Sequence, residues 1–243
     1  MLQLAGAQVW RVGFNAGDRA FWRHPKSYIA YRDPIDAWAA TFGALVDEKS
    51  VTDIVLYGDT RPVHAQAIAE AKRRGLTVHV FEEGYMRPYW VTYERDGSNG
   101  NSKLMDMTIT AMQTALAQSD MEPPLPPGHW GDMRQHIFYG ALYHWYVMFW
   151  NRPYRNFRPH RSLTVTQEFL LYLKRLLLMP LLAIDRLVAT MRIRLGGFPY
   201  HLALLQLEHD SAFQTHSPFE TTSDFLELVI DGFAKGAPRH HHL

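Results

Sequence analysis

The chain has 243 residues, 47% hydrophobic and 20% charged, an ordinary globular composition with room for one large domain or two small ones. It has no cysteine, which excludes a disulfide framework and thiolate metal sites and fits a reducing compartment. The formal charge of +1 argues against nucleic-acid binding, yet residues 134–200 hold ten Lys/Arg against two acids, a balance of +8 that leaves −7 elsewhere.

The first half alternates strand and helix patterns. "AQVWRVGF" (7–14) reads as a strand, and "PIDAWAATFGALVDEK" (34–49) has helical spacing with Asp33 and Pro34 at its start. "TDIVLYG" (52–58) predicts a strand ending in a turn glycine. "RPVHAQAIAEAKRRG" (61–75) predicts a helix with Pro62 near its start and Gly75 past its end. "LTVHVF" (76–81) is the next strand. This order indicates βαβ units and a Rossmann-like parallel sheet, whose ligands sit at the carboxyl ends of the strands.

The character then changes. "MEPPLPPGHWGD" (121–132), with four prolines, reads as an irregular connection, and 133 to about 195 reads as a helical, aromatic and basic insertion. After it, "HLALLQL" (201–207) predicts a strand and "TSDFLELVIDGFAKG" (222–236) a helix. The expected division is an N-terminal Rossmann-like lobe over 1–120, the insertion over 121–200 and the start of a second α/β lobe over 201–243. Both ends, "MLQLAG" and "APRHHHL", read as cut, and the N-terminal residues do not read as a secretory signal. The longest apolar run, "LLLMPLLAI" (176–184), falls far short of the roughly 20 residues of a spanning helix.

Three stretches carry candidate chemistry, and each follows a predicted strand. In "YGDTRPVH", Asp59 or Thr60 serves as a helix cap on one reading. On the other, Asp59, Arg61 and His64 surround a helix N-terminus able to hold an anion. In "HVFEEGYMRPYW", Glu82 and Glu83 stand where the apolar run stops, among Tyr85, Arg87, Tyr89 and Trp90. Adjacent carboxylates on an extended chain point to opposite faces, so at most one is catalytic. A carboxyl partly desolvated among aromatic rings suits a general acid or base. In "LLQLEHDSAFQTHSPF" (204–219), Glu208, His209 and Asp210 are consecutive and match no helical zinc motif, so no metal is expected. A carboxylate nucleophile with an anion-binding His216–Ser217 pair is the better chemical reading.

Together, in this order, "GDTRPVH", "VFEEGYMRPYWVTYERDGSNGNS" and "LQLEHDSAFQTHSPF" resemble the capsular polysaccharide biosynthesis and export proteins of the KpsS/LipB type, a family of retaining Kdo transferases. The resemblance runs from "FNAGDRAFW" (14–22) to the C-terminal "APRHHHL". It implies a two-lobed GT-B-like fold and transfer of Kdo from CMP-Kdo, without a cofactor, to a lyso-phosphatidylglycerol-type lipid. The implied location is the cytoplasmic face of the inner membrane, as a peripheral protein, with other capsule biosynthesis and export proteins as partners. Asp210 falls on the carboxylate thought to attack the anomeric centre, and Glu83 or its neighbour Glu82 on the motif that supplies the acid/base group. Retention through two inversions needs those two groups. Asp59, Arg61, His64, Arg87, His216 and Ser217 are the expected substrate-binding residues.

The chain departs from the pattern in places. It reads D-S-A-F-Q, with Ala212 and Gln214, where the family has D-S-Q-x-R, so a bidentate anion contact is missing. The glycine-rich loop after a first strand and the K-x-H-P motif for the CMP phosphate do not occur, in keeping with a fragment. Two other readings fit the residues: a non-catalytic export component that binds the lipid-linked polysaccharide, or another sugar-nucleotide glycosyltransferase.

The pairing of Trp145, Tyr146, Phe149, Trp150, Tyr154 and Phe157 with Arg152, Arg155, Arg158 and Arg161 suggests docking on an anionic membrane surface. The run 176–184, bracketed by Lys174–Arg175 and Asp185–Arg186, is long enough to lie in the interface.

Overall fold

A computed structural model describes residues 2–84, 90–119, 133–158, 164–206, 208 and 210–243. The elements follow in chain order: β1 (Arg11–Gly13), α1 (Ala16–Ala20), β2 (Tyr28–Ala30), α2 (Trp38–Lys49), β3 (Asp53–Tyr57), α3 (Pro62–Arg73), β4 (Thr77–Glu83) and β5 (Val91–Arg95). Then come α4 (Ile109–Ala117), α5 (Met133–Trp150), α6 (Val165–Gly196), α7 (Ser211–His216) and α8 (Thr222–Gly236). Residues Asp33–Met133 form one unit, and Met1–Arg32 with Arg134–Leu243 form the other.

The Asp33–Met133 unit is the α/β part. β3 pairs parallel with β4, as a βαβ crossover through α3 requires, but β5 pairs antiparallel with β4. The expected parallel sheet is therefore mixed, because the few residues between Glu83 and Val91 are too short for the crossover that a parallel pairing needs. Val78 and Val80 of β4 are fully buried, and Ile54 of β3 is nearly so. On α2, Trp38, Phe42 and Val46 recur at helical spacing and are buried, as are Ala67, Ile68 and Ala71 of α3. The Trp38 indole N–H donates to the Val63 carbonyl at 2.8 Å, fixing α2 to the start of α3. Burial contributes about 1.5–3 kcal/mol for each large side chain in this layer.

Period-two alternation leaves the other face of this sheet open. Val55, Tyr57, Val91 and Tyr93 are exposed there. His79 bridges all three strands, with Nδ1 at 2.7 Å from the Tyr93 hydroxyl and Nε2 at 2.9 Å from Asp53. Hydrogen bonds from Thr52, then His79, hold the Asp53 carboxyl below its ordinary range. Between α2 and α3, Arg74 joins Glu70 of its own helix to Asp47 of α2.

In the other unit, β1 and β2 pair parallel. The turn "FNAGD" closes on itself: Asn15 Oδ1 accepts the Asp18 amide at 2.9 Å, and Asp18 Oδ2 accepts the Phe14 amide at 2.9 Å. Asn15 also donates to the Tyr143 hydroxyl of α5, and the Ala16 amide donates to Asn151. Gly17 is required here, since a Cβ would lie 2.5 Å from the Tyr143 ring.

α6 opens with a capping box, Thr164 with Gln167, and ends at Gly197 in the left-handed region. Buried Glu168 of α6 pairs with His144 Nε2 of α5 at 3.3 Å. Tyr154 is buried, its hydroxyl 2.9 Å from that of Tyr28, and so does not belong to the exposed aromatic set the sequence suggested. Burial and this hydrogen bond push the Tyr28 phenol far up.

The strand expected at 201–207 does not form. Residues 201–206 have no regular structure, and Leu202, Leu204 and Leu205 are exposed. An isolated parallel bridge joins Tyr200, just before this segment, to His242. The proline-rich connection at 121–132 lies outside the described residues.

Candidate functional site

The Asp33–Met133 unit gathers two of the three chemical stretches, together with the turn after β5. β4 continues through both glutamates, with Glu82 opposite Thr92 and Glu83 opposite Val91. Because alternate residues share a face, Glu82 follows Val78 and Val80 onto the covered face, while Glu83 falls on the exposed one. Thr92 and Glu94 of β5 share the face of Glu82. The two-residue spacing of Thr92 and Glu94 in "VFEEGYMRPYWVTYERDGSNGNS" is thus the period of a strand laid beside Glu82.

Two glycines make this end of the sheet. Gly84 N–H donates to the Trp90 carbonyl at 2.8 Å, and a Cβ on Gly84 would lie 2.4 Å from that oxygen. Gly58, with φ +78°, turns the chain after β3, its N–H donating to the Phe81 carbonyl at 2.8 Å. A Cβ on Gly58 would meet Glu82 Oε1 at 3.1 Å, so the Glu82 carboxylate lies beside this turn. His64 Nδ1 is 2.7 Å from the Gly58 carbonyl. A carbonyl only accepts, so Nδ1 carries the proton of that bond.

Asp59 does not cap α3. The N-cap position is Arg61, with no side-chain cap, and Pro62 occupies the first turn. Asp59 is instead buried against the turn after β5. Its Oδ2 accepts the Ser98 amide at 2.8 Å and the Asn101 side-chain amide at 3.1 Å. Ser98 is equally buried. The turn is fixed at its edges by Lys103 on Asp96 at 2.5 Å and by a short hydrogen bond from Ser102 to Glu94. Lys103 holds the Asp96 carboxyl below its usual range. The site reading of the sequence named neither Ser98 nor Asn101. The only signal was the density of small polar residues in "DGSNGNS", which reads as an ordinary turn.

The third stretch belongs to the other unit. Asp210 is exposed, and its carbonyl accepts the Gln214 amide as α7 begins. Ser217 Oγ accepts the Phe219 amide at 3.0 Å, closing the turn at Pro218. Glu208 Oε2 accepts the Thr222 amide at the start of α8, 3.0 Å away. His216 Nε2 and Thr222 Oγ1 are closed off from solvent, with no hydrogen-bond partner among the described residues. His209, Arg87, Tyr85 and Tyr89 lie outside the described residues, as does Arg161. Among the described residues no group of three His, Asp or Glu side chains could hold a metal ion.

The model of the capsule polysaccharide biosynthesis protein family matches residues 52–243, which include all three stretches. The chain belongs to that family. It is 27% identical over 247 residues to the capsule polysaccharide export protein KpsS of Escherichia coli, covering 100% of this chain and 61% of that protein. It is 29% identical to the capsule polysaccharide modification proteins LipB of Neisseria meningitidis serogroups A and B, covering 96% of this chain and 56% of each of those proteins. The chain therefore spans about three fifths of the length of these relatives. No solved structure matches it.

Among the described residues no helix is long and apolar enough to cross a membrane. On α5, Phe138, Tyr139, Phe149 and Trp150 are exposed, and Arg152, Arg155 and Arg158 beyond it are exposed too. On α6, Leu177, Leu181, Ile184, Val188, Met191 and Leu195 are exposed at alternating spacings of four and three, which places them on one stripe.

Proposed function

We propose that this chain is part of a retaining glycosyltransferase with a GT-B-like fold, one that moves Kdo from CMP-Kdo to a lyso-phosphatidylglycerol-type acceptor during capsule assembly. The observation that carries the proposal is that the Gly58–Asp59 turn lies beside Glu82 through Gly58 and holds the 98–101 turn through Asp59, in a member of the capsule biosynthesis family. Carboxylates and small polar groups are the side chains that handle sugar hydroxyls and glycosidic oxygens. Glu82 is the preferred acid/base group, because it shares the covered face of the sheet with the buried Val78 and Val80. Asp210 is the proposed nucleophile. Asp59, Arg61, His64, Arg87, His216 and Ser217 are the proposed binding residues.

The test is transfer by the full-length protein from CMP-Kdo to lyso-phosphatidylglycerol, read by mass spectrometry, for the wild type and Asp210→Ala. The transferase reading requires product from the wild type and its loss in the variant. A non-catalytic export component gives no product from either protein and keeps its polysaccharide binding in the variant.

The exposed aromatic, arginine-rich end of α5 and the apolar stripe of α6 support a peripheral position on an anionic membrane, at the inner face where a lipid acceptor lies. Each basic residue reaching such a surface contributes about 1 kcal/mol.

A further inference from the structure

We propose that Asp59 and Ser98 form a subsite for one hydroxyl of a polyol, with Asp59 accepting its proton and Ser98 donating to its oxygen. Asp59 is 3% exposed and Ser98 1%. Asp59 Oδ2 already has two donors, from the Ser98 backbone and the Asn101 side chain. Its other oxygen, Oδ1, is closed off from solvent and has no partner among the described residues. The Ser98 hydroxyl is in the same condition. Two unsatisfied polar atoms therefore belong to residues joined by one hydrogen bond, and each costs stability while it stays unpaired.

Their chemistry selects the ligand. A carboxylate oxygen only accepts and a serine hydroxyl can donate, so one hydroxyl group inserted between them satisfies both. An anion is disfavoured by the Asp59 carboxylate and by Glu82 beside Gly58. A metal lacks ligands, since no group of three suitable side chains exists among the described residues. The site is also pre-organised: Asp96 and Asn99 take left-handed conformations, with φ of 74° and 52°, and Lys103–Asp96 and Ser102–Glu94 hold the turn.

The choice of probes rests on the transferase reading, in which a polyol hydroxyl comes either from the sugar or from the glycerol headgroup. Free Kdo and glycerophosphoglycerol are each titrated into the full-length protein and followed by ligand-observed NMR, for the wild type, Ser98→Ala and Asp59→Asn. The expected result is about tenfold weaker binding of one probe in Ser98→Ala, the loss of one hydrogen bond between neutral groups, with circular dichroism unchanged. The affected probe identifies the source of the hydroxyl. Asp59→Asn keeps an acceptor for the Ser98 amide and places a donor where Oδ1 stood, so it weakens the same probe. Should Asp59→Asn fail to fold, Ser98→Ala decides alone. Unchanged binding of both probes in Ser98→Ala, or no binding by the wild type, overturns the subsite. Binding that behaves as expected in a protein without transfer activity sinks the transferase reading and leaves the subsite standing.

Discussion

Glu82 and Thr92 face each other across the antiparallel pair of β4 and β5, on the same side of the sheet as the buried Val78 and Val80. Glu83, its neighbour, opposes Val91 on the exposed side. The two carboxylates are adjacent in sequence but divided by the sheet. We therefore expect Glu82→Gln to lower kcat by at least ~100-fold, the usual range for a lost general acid or base. Glu83→Gln should stay within a few-fold of wild type. Kinetics on the two variants that showed the reverse order would move the acid/base role to Glu83.

That division was only partly legible in the sequence. β4 announces itself because Val78 and Val80 alternate with polar residues on a buried face. β5 does not, because its covered face carries Thr92 and Glu94 and its exposed face Val91 and Tyr93, which inverts the usual pattern. Without β5 in view, the sheet reads as purely parallel and Glu82 reads as the end of a strand. "HLALLQL" misleads in the opposite sense: its apolar run suggests a buried strand, yet strand structure needs a neighbour to pair with and those leucines are exposed. The helices α2, α3 and α8 were legible because spacing and terminal residues act locally. The contact between Asp59 and Ser98 was not, since no local rule joins residues 39 positions apart.

Acid should weaken the α2–α3 layer. Hydrogen bonds from Arg73, then Arg74, lower the Glu70 carboxyl from 4.5 to about 2. A depressed carboxyl stabilises the fold fully above its unfolded value and loses that contribution as pH falls through the folded one. The melting temperature should thus decline from about pH 4.5 toward about pH 2, more steeply for wild type than for Glu70→Gln. Parallel curves for the two proteins across that window would remove Glu70 from the account.

Glu168 and His144 clamp α6 to α5 from within. Removing the carboxylate leaves a buried imidazole that has lost an acceptor, so Glu168→Ala should cost about 1–3 kcal/mol in urea unfolding. A change below about 0.3 kcal/mol would mean that the pair contributes nothing net.

Membrane docking is tested by co-sedimentation with anionic and neutral vesicles at low and high salt. Binding should require anionic lipid and weaken with salt. Changing Arg152, Arg155, Arg158 and Arg161 together to Glu should abolish it. Equal recovery of wild type and variant in the pellet would leave these arginines as solvated surface.

The most direct test of the transferase account is the stereochemistry of the product. The full-length protein is incubated with CMP-Kdo and lyso-phosphatidylglycerol, and the anomeric configuration of the new Kdo linkage is read by NMR. A nucleophilic carboxylate at Asp210 with a separate acid/base group predicts the configuration of the donor. A product of inverted configuration, or no Kdo transfer at all, would contradict it.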